Sequence, residues 1–240
     1  MNTYEVAYGE EIIKFRVERK KVKNVNLNIR VNGDVIITAK DEVPLEFIED
    51  FILRKSSWII KQVKYYKEYE VKEKYEKELV SGESIKYLGK QYRLKVVECE
   101  EEYVKYFRGY IYLYVKDKNN YKKKEELLNN WFDLKCKDIF NSLYNEIYPM
   151  VSKYDVPQVK INIRKMRTRW GSCIVHKNTI ILNKDLIKAP KYCIKYVILH
   201  ELLHMLYKEH SKEFYDFLFT LMPDWKERKR ILDEEVIMTL

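Results

Sequence analysis

Residues 200–210 read His-Glu-Leu-Leu-His-Met-Leu-Tyr-Lys-Glu-His, and this stretch predicts both a helix and its chemistry. On an α-helix, residues four positions apart lie on one face, so the imidazoles of His200 and His204 can reach the same metal ion. Glu201 lies roughly 100° round the helix from His200, close enough to hold a water bound to that ion. Zinc lowers the pKa of such a water to about 7, and a carboxylate can accept its proton. We therefore interpret the two histidines as metal ligands and Glu201 as a general base.

A third protein ligand would leave one position of a tetrahedral zinc ion open for water. His210 is the preferred candidate, because imidazole suits zinc and because three of the four histidines lie in this segment. Metzincin proteases use the same six-residue interval with a glycine for the turn, whereas Tyr207 stands there in this chain. Glu213, or less favourably Asp216, is the alternative ligand from the following helix. The expected cofactor is one Zn²⁺ ion, although imidazole ligands also accept other first-row divalent metals.

A His-Glu-x-x-His pattern also arises by chance, so its surroundings matter. Here it is flanked by the apolar runs 197–199 and 202–203, which would place the ligands in a protected cleft. These surroundings favour metal binding. His176 lies in a polar stretch and is interpreted as an exposed loop residue.

The composition is that of a folded protein with a basic surface. Apolar residues make up 46% of the chain, Gly and Pro are few, and the formal net charge is +9. Lysines and glutamates alternate between 64 and 77, as on a solvated helix face, so nucleic acid is an admissible but not a favoured partner. No apolar run of eighteen residues is present, which argues against a membrane span or a membrane partner.

The cysteines and the first residues indicate a reducing compartment. The four cysteines form no C-x-x-C pair, which favours reduced thiols over disulfides or an all-cysteine zinc site. The N-terminus is polar and acidic, unlike a signal peptide. The expected localisation is cytoplasmic.

The periodicity of apolar residues predicts β-structure and long helices in alternation. Residues 25–37 alternate as a hairpin around Asn32-Gly33, and a helix follows from Pro44 to about Leu79. We found no internal repeat. The remaining predictions are hairpins turning at 89–90 and 109, a helix at 122–153, strands at 159–163 and 179–182, a helix from Pro190 to about 207, and helices after Ser211 and Pro223.

Several short motifs outside the helix resemble one family. Arg-Trp-Gly-Ser-Cys at 169–173, Ile-x-Leu-Asn at 180–183 and His-Ser at 210–211 are similar to patterns of the YgjP-like metallopeptidases, distant relatives of the SprT (Spartan-type) zinc proteases. The resemblance extends over nearly the whole chain. Further matching segments are 81–83, 87–89, Ala189-Pro190 and Pro223 to Lys226.

The resemblance implies an α+β protein in two parts. Residues 1–118 would form a β-rich N-terminal region with a long helix. Residues 119–240 would form a minimal gluzincin-like zincin domain, a small sheet with an active-site helix and following helices. It also implies that His200, His204 and His210 bind zinc and that Glu201 is the catalytic base.

The same resemblance places the segment from Arg169 to Asn183 near the cleft, where an edge strand could pair with an extended peptide. Arg167, Arg169, Asn183 and Tyr207 are therefore candidate substrate-binding residues. Arg169 and Tyr207 are also the candidates for stabilising an oxyanion.

Four functions compete at this stage. The leading hypothesis is a zinc metallopeptidase acting on peptides or unfolded protein. Hydrolysis of a nucleotide or another phosphorylated small substrate is the alternative, because the chain is basic and activated water also cleaves phosphoanhydrides. A DNA-associated protease of the SprT type ranks third. A binding protein with a structural zinc ranks last, because three ligands leave a reactive position open.

Overall fold

The chain divides into two compact units, Met1–Glu76 and Lys77–Leu240. The computed structural model describes residues 3–9, 11–30, 33–73, 78–166 and 169–233, with the backbone alone for 65–73. The boundary predicted from the sequence, at 118/119, lies within the second of these units. The two divisions differ because strands between 84 and 115 share one hydrophobic core with the helices of the C-terminal half.

Unit 1 is a four-stranded sheet with one long helix. Its order is β1-β2-β4-β3, with β2 and β4 parallel and the two outer pairings antiparallel. Apolar residues of β2 and β4 pack with Ile48, Ile52 and Ile59 of α1 into a separate core. The elements are β1 (Thr3–Tyr8), β2 (Glu11–Arg19), β3 (Asn26–Ile29), β4 (Val35–Ala39) and α1 (Leu45–Glu73).

Two predictions for unit 1 have different outcomes. The hairpin is confirmed, since β3 pairs antiparallel with β4; Asn32 of its turn lies outside the described residues. The extension of the first helix to Leu79 is wrong. Leu79 is non-helical with a φ of 53°, and its side chain is buried in the core of unit 2.

Unit 2 begins with a sheet of the same topology. Its order is β5-β6-β8-β7, again with a parallel central pair and antiparallel outer pairs. The predicted hairpins are confirmed, with turns at 88–89 and 108–109. The elements are β5 (Ser84–Tyr87), β6 (Lys90–Glu98), β7 (Tyr103–Phe107), β8 (Tyr110–Val115) and α2 (Tyr121–Ser152).

The first five elements of each unit therefore repeat one plan of four strands followed by one long helix. Even the burial patterns of β2 and β6 are the same, residue for residue. No repeat was predicted from the sequence, because this one preserves the alternation of buried positions and the strand order while the residue types differ.

The remainder of unit 2 builds a second, three-stranded sheet and three shorter helices. β9 and β11 are parallel, and β10 is an edge strand that pairs antiparallel with β11. Helix α3 is buried on nearly all sides, which explains why apolar residues predominate in its sequence. The elements are β9 (Lys160–Arg164), β10 (Gly171–Ile174), β11 (Thr179–Asn183), α3 (Lys191–Leu203), α4 (Lys212–Leu221) and α5 (Trp225–Ile231).

The architecture is α+β, as predicted. Strand β10 was not predicted, because its four residues, Gly-Ser-Cys-Ile, lack a clear alternation of apolar and polar types. Within the described ranges, no helix is both long and apolar enough to cross a membrane.

Candidate metal centre

Three imidazoles converge at the end of α3. One ring nitrogen from each of His200, His204 and His210 can be chosen so that all three lie within 4.8 Å of one another. The Nε2 atoms of His200 and His210 are 2.9 Å apart. The first two histidines are half-buried and the third is exposed, so the cluster lies at the surface end of a buried helix.

The end of α3 brings His210 back to the helix. The helix ends at Leu203, four residues earlier than predicted, because Met205 and Leu206 donate backbone hydrogen bonds to carbonyls three residues back and tighten the last turn. The chain then reverses, and the side chain of Ser211 accepts a hydrogen bond from the backbone N–H of Phe214 to begin α4.

Phe214 packs against all three imidazoles of the cluster. Its side chain is fully buried, and its ring centroid lies 5.0 Å from the ring centroids of His200, His204 and His210. The single ring of Phe214 therefore packs against all three imidazoles, a contact that no sequence motif indicates.

The protonation states suit a metal. Nδ1 of His204 is 3.0 Å from the carbonyl oxygen of Tyr207. Because a carbonyl only accepts, Nδ1 carries the proton and Nε2 keeps its lone pair. Burial lowers the pKa of His200 to about 3, and burial with the neighbouring His204 lowers the pKa of His210. Neutral imidazoles are the form that binds a metal, so this donor set fits zinc or another first-row ion.

Glu201 is a buried carboxyl group, and little nearby positive charge offsets the cost of burying its ionised form. It is 6% exposed, and burial raises its pKa to about 8, with a smaller opposing effect from the positive charge of Arg169. Gly171 of β10 lies directly against it. A Cβ at position 171 would lie 2.7 Å from Oε1 of Glu201, closer than real Cβ contacts allow. The edge strand and the carboxylate are therefore in direct contact.

A cavity of about 650 Å³ opens over these groups. Arg169, a candidate substrate-binding residue, lines it together with residues 170–173 of the same segment. Arg167 lies outside the described residues. The cavity is also lined by residues that no motif indicated, from α3 and from beyond it: Tyr196, Lys208, Tyr215, Lys229 and Asp233.

Two of the predicted substrate-binding residues lie elsewhere. The side chain of Asn183 is buried, and its amide donates to the carbonyls of Met166 and Arg169 while its oxygen accepts from the N–H of Asp185. The ring of Tyr207 packs near Phe214 and Phe217. Neither residue is among those that line the cavity. Asn183 instead anchors the segment that carries Arg169, and Tyr207 orients His204 through its carbonyl.

The alternative third ligands are not part of the cluster. Glu213 is exposed at the first turn of α4, and a hydrogen bond from Ser211 lowers the pKa of its carboxyl group. Asp216 is also exposed. Among the described residues, the group that can hold a metal is the three-histidine set, and His176 is exposed and separate from it.

Two solved structures and one protein family are similar to this chain. The structure is similar to crystal structures of two metallopeptidase zymogens, each with 21% identity over 40% of this chain. They are abylysin of Pyrococcus abyssi (94% of that chain, TM-score 0.36) and jannalysin of Methanocaldococcus jannaschii (96%, 0.35). No functionally curated protein matches the chain in sequence. Residues 23–235 match the family described as YgjP-like, metallopeptidase domain. The chain therefore belongs to the YgjP-like metallopeptidase family.

Proposed function

We propose that the protein is a zinc-dependent peptidase in which His200, His204 and His210 hold the ion and Glu201 is the general base. The observation that carries the proposal is the convergence of three imidazoles beside one buried carboxyl group. A zinc ion held by these three imidazoles would supply Lewis-acid chemistry, lowering the pKa of a water at the site.

Glu201 is suited to move that proton. In the absence of a metal its burial favours the protonated form, and a nearby cation would restore the carboxylate. The carboxylate can then accept a proton from the attacking water and deliver it to the leaving amine. Contact with Gly171 restricts where the carboxylate can lie, so its position is set by the edge strand.

The substrate we propose is an extended peptide. Strand β10 pairs with β11 on one side and is an edge of its sheet, so its backbone can pair with a further strand. Such a peptide would run beside Gly171 and therefore beside the general base. Arg169, which lines the cavity, is the side chain we propose to stabilise the negative charge that develops on the scissile carbonyl oxygen.

These features together favour a gluzincin-like zincin arrangement for the proposed catalytic domain, residues 119–240. Helix α3 carries His200 and Glu201, its C-cap residue is His204, the sheet β9–β11 lies beside it, and α4 follows. The third ligand differs from a thermolysin-like glutamate, because His210 precedes α4 and Glu213 lies outside the cluster.

A second candidate is hydrolysis of a phosphorylated small substrate such as a nucleotide. The observation that favours it is the presence of two cationic side chains, Arg169 and Lys208, around the cavity, together with Lys229, which is paired with Asp233. Phosphate groups are ligands of such cations. The same catalytic groups would serve either reaction.

Activity assays on a peptide library and a nucleotide panel separate the two candidates. Wild-type protein loaded with zinc should cleave peptides, and Glu201→Gln should not. Phosphate release from nucleotides that is lost in Glu201→Gln, without peptide cleavage, would replace the first proposal by the second.

A further inference from the structure

One face of the sheet β5–β8 carries a row of aromatic side chains. In β8 the residues Ile111, Leu113 and Val115 are fully buried, whereas Tyr110, Tyr112 and Tyr114 are half-buried. Because successive side chains of a strand point to opposite faces, the three tyrosines lie on the face opposite the core that includes α2.

Strand register extends this row across β7. Tyr103 lies opposite Tyr114, and Phe107 lies opposite Tyr110. The rings of Tyr103 and Tyr114 are stacked at 4.3 Å with an interplanar angle of 16°. Tyr103 and Phe107 remain 40% and 48% exposed. These five rings form a platform that solvent can reach.

Cationic side chains border the platform. Arg93 and Lys95 of β6 pair with Tyr110 and Tyr112, and the amino group of Lys95 lies 4.0 Å from the centroid of the Tyr110 ring. Lys105 of β7 is opposite Tyr112. No Asp or Glu occupies this face at the described strand positions of β5–β8. We call the five rings with Arg93, Lys95 and Lys105 the aromatic face.

The repeated fold provides an internal comparison. Unit 1 has the same strand order, but the corresponding face carries aliphatic and small polar residues, and its charged side chains have both signs, with Lys14 and Arg16 beside Glu18. The topology therefore does not require aromatic residues or a single sign of charge there. The equivalent positions in units 2 and 1 are Tyr112 and Ile36, Tyr114 and Thr38, Lys105 and Asn28, and Tyr103 and Asn26.

We propose that the aromatic face binds single-stranded nucleic acid. Bases that are not paired can stack on exposed aromatic rings, and lysine and arginine neutralise the phosphates between them. The net charge of +9 adds a general attraction for polyanions. A duplex keeps its bases stacked internally, so it would use the cations of this face but not its rings.

The aromatic face is held in the same unit as the metal centre. The turn between β5 and β6 donates backbone hydrogen bonds from Leu88 and Gly89 to the carbonyls of Ile187 and Lys188, just before α3. Pro190 packs so closely on Gly89 that a Cβ at that position would be 2.7 Å from it. The binding proposal rests on the sheet alone and does not depend on the proposed peptidase activity.

Fluorescence anisotropy of the full-length protein tests the proposal. The probes are labelled U12 RNA, dT12 DNA and a 12-base-pair duplex, each titrated at several salt concentrations. One variant replaces Tyr112→Ile and Tyr114→Thr, which are the residues that unit 1 carries at these positions. A second variant replaces Lys95→Ala and Lys105→Ala. A control removes the same charge elsewhere, at the exposed lysines, with Lys137→Ala and Lys177→Ala.

We expect wild-type protein to bind U12 or dT12 more tightly than the duplex, and the tyrosine variant to bind the single strands about tenfold or more weakly. The lysine variant should lower the slope of log K against log salt by about 1.4, since each lost phosphate contact on a single strand contributes about 0.7. The control should change the affinity far less than either. Comparison of U12 with dT12 identifies RNA or DNA as the preferred ligand.

Three results would overturn the proposal. One is equal affinity for duplex and single strands, which would mean a general response to polyanions. Another is tyrosine-variant binding equal to wild type, with thermal unfolding showing that the variant is folded. Displacement of U12 by polyglutamate at equal charge concentration would likewise show that the face recognises charge alone.

Discussion

Gly171 and Glu201 are in such close contact that no side chain fits between them. A Cβ at position 171 would lie 2.7 Å from Oε1, 2.8 Å from Cγ and 2.9 Å from Cδ of Glu201. The glutamate is on a buried helix and the glycine on an edge strand. The position of the proposed base is therefore coupled to the strand on which we expect the substrate to lie.

Gly171→Ala should displace the carboxylate of Glu201 and lower kcat by about tenfold or more, because misplacing a general base removes most of its contribution. Zinc content should stay near wild type. The measurement is kcat and KM with the best peptide substrate, together with metal content.

A double-mutant cycle with Glu201→Asp controls for indirect effects of Gly171→Ala. The shorter acid relieves the contact, so the alanine should cost less in that background. Equal costs in both backgrounds would show that the glycine acts through something other than Glu201.

Phe214→Ala should destabilise the fold and the metal centre together. Removing a fully buried phenylalanine costs about 3–5 kcal/mol in the free energy of unfolding. The metal centre should also be affected, because this ring packs against all three imidazoles. Denaturant unfolding with and without zinc measures the loss. Phe219→Ala is the matched control, because Phe219 is on the same helix and is 56% exposed. A similar loss in both variants would contradict the role given to Phe214.

Tyr207→Phe should leave kcat within about twofold of wild type, because this residue acts through its backbone carbonyl on His204. Arg169→Ala should lower kcat by about 10²-fold or more if its charge stabilises the oxyanion. Peptide kinetics on the two variants measure both effects. A larger loss of kcat in Tyr207→Phe than in Arg169→Ala would assign the oxyanion role to the Tyr207 hydroxyl instead.

Cys136 should react very slowly with a thiol reagent at pH 8. Burial raises the pKa of its thiol to about 12, so the reactive thiolate is scarce below that pH and increases only as the pH rises towards it. Kinetics of modification by a disulfide reagent should show one faster class containing the half-buried Cys99. Cys99→Ser should remove part of that class, whereas Cys136→Ser should leave it unchanged; loss of fast signal in Cys136→Ser would contradict the burial.

The sequence predicts which residues of the candidate metal centre could bind a metal or move a proton, but it predicts the residues packed around them less well. His200, Glu201 and His204 follow from helical spacing, which is a local property of the chain. The contact of Gly171 with Glu201 and the position of Asn183 depend on how β10 and β11 meet α3, and no local pattern encodes that. The motif Arg-Trp-Gly-Ser-Cys at 169–173 pointed to this segment through family resemblance. It did not show that Gly171 is needed because Glu201 packs against it.

The long helices and hairpins were predicted from apolar periodicity and turn residues, and most are confirmed. The helix end at Leu203 was missed because its last turn is tightened by backbone hydrogen bonds, while the residues 204–207 themselves favour helix. The repeat of four strands and a helix was missed because it is a property of strand order. Strand order is fixed by long-range pairing such as that of β6 with β8.

The most direct test of the central claim combines metal analysis and peptidase assays on four proteins. The proteins are wild type, His204→Ala, Glu201→Gln and, as a control for the alternative ligand, Glu213→Ala. We predict one zinc per chain in all but His204→Ala, full activity in wild type and Glu213→Ala, and a loss of about 10²–10⁴-fold in Glu201→Gln. Wild-type protein that binds no metal after zinc supplementation, or Glu201→Gln protein that cleaves peptides at the wild-type rate, would contradict the account.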